Sequence, residues 1–183
     1  MKTKTQAKLE NILLPIAKRL NVNPNLLTLL SIASILASAY YILALDLVTA
    51  SVLFAIGALL DGLDGLVART HRRGTKFGVL FDQTADRIND GVIVIAVAVA
   101  GYIEPFIGLA ALFFVFLASY ISAVLDSLSG KRIGDIISFR PVRSIVLFAG
   151  LLSGEIVVAI WLVLFIGIWA TLYRLFKAKW VLS

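Results

Sequence analysis

The chain has 183 residues, 60% of them hydrophobic, and a mean hydropathy of +0.97. That combination excludes an ordinary soluble domain and indicates a polytopic membrane protein, with room for about six spans of roughly 20 residues each. There is no cysteine, so disulfide, iron–sulfur and thiolate-zinc sites are excluded, and the net charge of +6 sits in a composition too apolar for a nucleic-acid binder.

The stretch Met1 to Lys8 has no long apolar core and does not read as a cleaved signal peptide. From Thr5 to Leu20, Leu9, Ile12, Leu13, Ile16 and Leu20 share one helical face, with Lys8, Lys18 and Arg19 elsewhere. This predicts an amphipathic juxtamembrane helix within residues 1–22, lying on the membrane surface. Asn21 to Asn25 interrupt it, and Pro24 is placed to open the next helix. Six spans are then expected: Asn25–Leu45, Val48–Arg69, Phe77–Gly101, Pro105–Leu128, Pro141–Leu152 and Glu155–Phe176. The expected architecture is one all-α integral membrane domain over residues 1–183, its six transmembrane helices forming a bundle at 25–176.

Charge supports the count. On this reading all 17 Lys and Arg lie on one side, in the N-terminal helix, Arg69 to Arg87, Lys131 to Arg143, and Arg174 to Lys179. The opposite loops carry only Asp46, Glu104 and Glu155. The positive-inside rule then places both termini in the cytosol. Five or seven spans would put basic residues on both sides. Tyr102, Trp161, Tyr173 and Trp180 fall near span ends, as interfacial aromatics do.

Two acidic clusters mark the cytosolic ends of the second and third spans. Positions 61, 64, 65, 68 and 69 share a helical face, so Asp61 and Asp64 point together beside Gly65, Ala68 and Arg69. Gly78, Asp82, Asp86 and Asp90 are spaced by four and also align. The short hairpin Thr70 to Phe77 makes the two helices antiparallel neighbours, so the carboxylate pairs can face each other. Facing carboxylates repel unless a cation sits among them. Oxygen ligands without His or Cys favour Mg²⁺ or Mn²⁺, with Ca²⁺ a third choice, and four carboxylates suit two ions. Arg69, Arg72, Arg73 and Lys76 form an anion-attracting rim. Solvated helix ends would explain two acids but not the bare Gly and Ala positions beside them. A cation pathway in a transporter is the rival of another class. Against it, the acids gather at one membrane face. His71 is read as exposed, and Lys131 and Arg132 as topology markers. Asp126 and Asp135 have no assigned partner.

The string Asp61-x-x-Asp64-Gly65-x-x-Ala68-Arg69, then eight residues, then Gly78-x-x-x-Asp82-x-x-x-Asp86, resembles the signature of the CDP-alcohol phosphotransferases at all eight positions. The resemblance implies an integral membrane enzyme, commonly a homodimer, and the positive-inside rule puts its acidic clusters, hence its active site, in the cytosol. Its partners would be a CDP-linked lipid donor, a small polar alcohol acceptor and membrane lipids. The enzyme would transfer a phosphatidyl-type group from donor to acceptor, releasing CMP. By the same resemblance Asp61, Asp64, Asp82 and Asp86 bind the metals, and Asp86 is also the general base. Gly65, Ala68, Arg69 and Gly78 line the CDP site, joined by Thr75 and by Asn25 and Thr28.

The run from Phe77 to Gly91, with Asp86-Arg87 and Asp90, looks most like the branch that uses inositol phosphate. Arg140 and Arg143, in Phe139-Arg140-Pro141-Val142-Arg143, also match that branch and suit a phosphate-bearing acceptor. Arg87, Asp90, Arg140 and Arg143 are therefore the candidate acceptor contacts. The branch's Lys and Arg after Ser119-Tyr120 are replaced by Ser122 and Val124, and the acids beside the two arginines by Phe139 and Val142. Glycerol phosphate, serine and an unphosphorylated polyol stay open as acceptors.

Overall fold

The computed structural model describes residues 13–130 and 139–182, and every regular element among them is helical. The helices are α1 (Pro24–Leu43), α2 (Leu47–Thr70), α3 (Lys76–Val99), α4 (Pro105–Ser129), α5 (Arg140–Ser153) and α6 (Ile156–Leu182). Each expected span corresponds to one of them. Residues 13–19 form the described part of the N-terminal helix; its earlier residues, and Lys131, Arg132 and Asp135, lie outside the described residues. Two compact units divide the chain, one within residues 3–96 and one from residue 97 onward.

In the first unit, Asn23 caps α1, its side chain accepting from the Asn25 amide at 3.0 Å, and Pro24 opens the first turn. α1 ends two residues before expected. Leu45 takes φ 62°, and the Ala44, Leu45 and Asp46 amides turn back to the carbonyls of Tyr40, Ile42 and Tyr41. Asp46 then caps α2, accepting from the Thr49 amide at 3.0 Å. Thr49 holds the Asp46 carboxyl below its ordinary value, first through its side chain and then through its backbone.

α1 and α2 run antiparallel and are linked by side-chain hydroxyls. Ser38 donates to the Ala50 carbonyl at 2.7 Å, Ser31 to the Gly57 carbonyl at 2.9 Å, and Thr28 to the Asp64 carboxylate. Lipid supplies no hydrophobic drive between helices, so close approach and such bonds hold them. The N-terminal helix packs Leu13 and Ala17 into a cluster with Leu27, Leu66 and Val67. Leu13 and Leu20 pack against the protein. Ile16 does not: it is 47% exposed, because small Ala17 takes the buried place against the protein.

In the second unit, α4 stops at Gly130 (φ 63°) and α5 at Gly154 (φ 79°), left-handed positions that suit glycine. Thr171 and Arg174 of α6 donate to the Phe114 and Ala118 carbonyls of α4, at 3.3 and 2.7 Å. A side chain at Gly150 would collide with Ala159, which is how closely α5 meets α6.

Four helical segments are long and apolar enough to cross a membrane: α1, α2, α4 and Ile156–Trp180 of α6. Large side chains such as Phe106, Phe113, Phe165 and Trp169 lie exposed on α4 and α6. Such surface has no place in water but suits lipid, and the protein is an integral membrane protein. α3 and α5 fall outside that set. Lys76, Asp82, Asp86, Arg87 and Asp90 crowd α3, and α5 has only 14 residues.

Candidate functional site

The α2–α3 hairpin brings three carboxylates together. Asp61 from α2 and Asp82 and Asp86 from α3 each offer an oxygen, and the three lie within 4.8 Å of one another. Each is partly buried. Asp82 and Asp86 share a stripe of α3 by their spacing of four, and the turn at residues 71–75 reverses the chain so that the stripe meets Asp61.

Asp64 is not one of the three. Three residues along the helix leave its side chain about 60° around from that of Asp61, on the side that meets α1. There it is 3% exposed and accepts the Thr28 hydroxyl through Oδ2. Its Oδ1 is buried with no hydrogen-bond partner among the described residues. Three converging carboxylates and an orphaned fourth oxygen fit a divalent cation with hard oxygen ligands. They fit no soft metal, because no Cys or His joins them.

Beside the acids, two small positions are closely covered. A Cβ on Gly65 would lie 3.2 Å from Arg69 Nη1, so the guanidinium folds over that glycine. A Cβ on Gly78 would lie 3.1 Å from Thr75 Oγ1 and 3.3 Å from Asn25 Oδ1. The Thr75 hydroxyl also accepts from the Gly78 amide at 2.9 Å, ordering the first turn of α3. Asn25, Thr75 and Gly78 thus form one polar cluster, with Thr28 a turn along α1 and Ala68 partly buried on α2.

Arg87 reaches Asp86 and Asp90 at 3.7 Å each, one guanidinium between two carboxylates. Arg140 and Arg143 stand in the first turn of α5, in the second unit, and Arg143 is 4% exposed.

One expectation about the basic hairpin is corrected. His71 is not a free loop residue: it caps α2, is partly buried, and its Nε2 bonds the Ala17 carbonyl at 3.0 Å. Arg73 also reaches the N-terminal linker. It donates to Asn21 Oδ1 at 2.7 Å and to the Val22 carbonyl at 3.4 Å. Both contacts tie the N-terminal helix and its linker to the hairpin. Ser31 and Asn89 went unmarked in the sequence. They are polar residues in apolar runs, and the Asn89 amide donates to Ser31 Oγ at 3.2 Å. Asn89 continues the Asp82–Asp86 stripe at the i+7 position, a signal that could have found it.

The model of the CDP-alcohol phosphatidyltransferases matches residues 21–175. An archaetidylinositol phosphate synthase of Methanothermobacter thermautotrophicus is 36% identical over 144 residues, 78% of this chain and 73% of that protein. The crystal structure of Mycobacterium tuberculosis phosphatidylinositol phosphate synthase with CDP-DAG bound superposes with a TM-score of 0.72 at 25% identity, over 96% of this chain and 94% of that one. The same enzyme in complex with manganese and citrate gives 0.72, over 95% and 88%. These similarities replace the transporter reading. The chain belongs to the CDP-alcohol phosphatidyltransferase family: it is a membrane enzyme that transfers a phosphatidyl-type group from a CDP-linked lipid to an alcohol, releasing CMP.

Proposed function

We propose that the alcohol is an inositol phosphate and that the donor and metals are held by the α1–α2–α3 unit. The observation that carries the site is the convergence of Asp61, Asp82 and Asp86 within 4.8 Å, beside the small positions Gly65 and Gly78. Asn25, Thr28, Gly65, Ala68, Arg69, Thr75 and Gly78 bind the CDP moiety. Arg69 brings a guanidinium to the pyrophosphate. Asp61, Asp64, Asp82 and Asp86 hold Mg²⁺ or Mn²⁺, two ions, which neutralise charge on the pyrophosphate and on the departing CMP. Asp86 accepts the proton of the acceptor hydroxyl. The hydroxyl oxygen bonds to the lipid phosphorus, and the bridging oxygen leaves with CMP. An alcohol is a weak nucleophile and needs such a base within hydrogen-bond reach. Arg87 lies beside this carboxylate and steadies its position.

Similarity to synthases of inositol-phosphate lipids supports the acceptor. Arg87 and Asp90 on α3, and separately Arg140 and Arg143 on α5, are groups of the kind that a phosphorylated polyol requires. All 17 Lys and Arg fall on one side of a six-span arrangement, which supports a cytosolic site and cytosolic termini.

The test is CMP release by the purified protein with CDP-lipid, Mg²⁺ or Mn²⁺, and a panel of inositol phosphate, glycerol phosphate, serine and inositol. Metal-dependent release with inositol phosphate alone supports the proposal. Release with glycerol phosphate or serine instead renames the acceptor and leaves the site standing. Asp86→Asn abolishes release if Asp86 is the base, and parent-like release removes it from that role.

A further inference from the structure

Asn89 lies one turn deeper in α3 than Asp86 and is 8% exposed. Its amide donates to Ser31 Oγ at 3.2 Å, and the Ser31 hydroxyl donates to the Gly57 carbonyl at 2.9 Å. One fully buried hydroxyl therefore joins α1, α2 and α3 at a single level. The helices are close there: a Cβ on Gly57 would lie 2.8 Å from Ile35 Cγ1 and 3.3 Å from the Ser31 carbonyl oxygen. Asn89 Oδ1 is buried with no hydrogen-bond partner among the described residues. The bond to Ser31 is offset by that unused oxygen, and replacing the amide by an apolar side chain of similar volume can be nearly neutral. Stability alone does not call for an amide here.

Its position does. Asp82, Asp86 and Asn89, at i, i+4 and i+7, form one stripe of α3. The same stripe carries two of the three carboxylates that meet within 4.8 Å, and Asp61 on α2 carries the third. Like charges so placed push α2 and α3 apart. The Asn89–Ser31–Gly57 link resists that one turn below.

We propose that Asn89, acting through Ser31, is a positioning residue that holds α2 and α3 at the separation their carboxylates need to bind a divalent ion. It contacts neither the ion nor the substrate. The inference rests on Asp61, Asp82 and Asp86 being metal ligands, as read above.

The test uses the full chain in detergent, with Mn²⁺ binding followed by electron paramagnetic resonance and a thermal melt of each protein. Asn89→Leu and Ser31→Ala each weaken Mn²⁺ binding by on the order of tenfold, the scale of an outer-shell loss. The double variant is no weaker than Asn89→Leu, because the two residues form one link. Asn89→Leu melts no lower than the parent. Parent-like Mn²⁺ affinity in both folded single variants overturns the proposal. So does failure of the variants to fold, which makes the link a stability element. Absence of Mn²⁺ binding by the parent is a different failure. It overturns the metal reading itself and the positioning role with it.

Discussion

Thr28→Val tests how the acidic site is anchored. Valine keeps the branched shape of threonine and so most of its packing on α1. What disappears is the hydroxyl that donates to Asp64, a residue only 3% exposed whose other oxygen already lacks a partner among the described residues. A hydrogen bond to a charged group contributes about 1.5–3 kcal/mol, and leaving the buried carboxylate unsatisfied puts the loss within that range. At about 2 kcal/mol, a chain of this size melts lower by about 4–8 °C. Far-UV circular dichroism of the helices in detergent reads the change. Thr28→Ser keeps the hydroxyl and melts within about 2 °C of the parent, the shift of a sub-kcal change. In an Asp64→Asn background, Thr28→Val costs no more than a neutral hydrogen bond, about 0.5–1.5 kcal/mol. A Thr28→Val protein that melts with the parent refutes this. Thr28 would then serve the nucleotide alone, and only donor affinity would fall.

Gly57→Ala places a methyl 2.8–2.9 Å from the Ile35 side chain and destabilises the protein by about 1–3 kcal/mol, the scale of overpacking. Adding Ile35→Val, which removes Cδ1, recovers part of the loss; a neutral Gly57→Ala melt would show that α1 and α2 are not in tight contact there. His71→Ala removes the bond to the Ala17 carbonyl, worth about 1 kcal/mol, and speeds amide hydrogen exchange over residues 13–19. Unchanged exchange would mean that the Leu13–Ala17 packing alone holds that helix. Asp46 gives the pH prediction. Its carboxyl sits below the ordinary value of 3.8, so its capping stabilisation is complete above that value and is lost as pH falls through the lowered one. Asp46→Asn keeps an oxygen to cap α2 but removes the titrating group, so its melting curves lose that acid dependence. Parallel pH profiles for the two proteins would count against the cap.

The helices were legible because their signals are local. Pro24, Pro105 and Pro141 each fall in the first turn of a helix, and the acidic residue Asp46 caps the start of another. Hydropathy fails at the ends, since it reports where lipid stops and not where the helix does. α6 continues to Leu182 rather than Phe176, through Lys177, Lys179 and Trp180, which suit an interface as well as a helix. The facing of Asp61 with Asp82 and Asp86 was legible from a spacing of four and a short hairpin. The bond between Asp64 and Thr28 was not. Periodicity says which residues share a face of one helix, but a face about 100° wide can meet two neighbours. Only the packing of α1 shows that Asp64 turns to Thr28. His71 was misread for the same reason, because its partner is a backbone carbonyl 54 residues away and no pattern marks a carbonyl.

α1 explains how so apolar a chain keeps its acids. Its inward face carries Thr28, Ser31, Ile35, Ser38 and Ile42, three hydroxyls and two isoleucines. Ile35 fills the space at Gly57 of α2, and each hydroxyl bonds a group on that helix. These bonds do not depend on water being excluded from oil, since lipid is already oil. They fix a geometry instead. Two of them lie at the level of the carboxylates or one to two turns below, where repulsion between α2 and α3 needs a brace. The third, Ser38 to the Ala50 carbonyl, lies at the far end of α1, away from the carboxylates. Removing it costs helix packing without touching the site, whereas loss of Thr28 or Ser31 reaches both. If α1 were only a membrane anchor, the three hydroxyls would be equivalent. Their inequality, measured as Mn²⁺ affinity against melting temperature for Thr28→Val, Ser31→Ala and Ser38→Ala, separates an anchor from a brace.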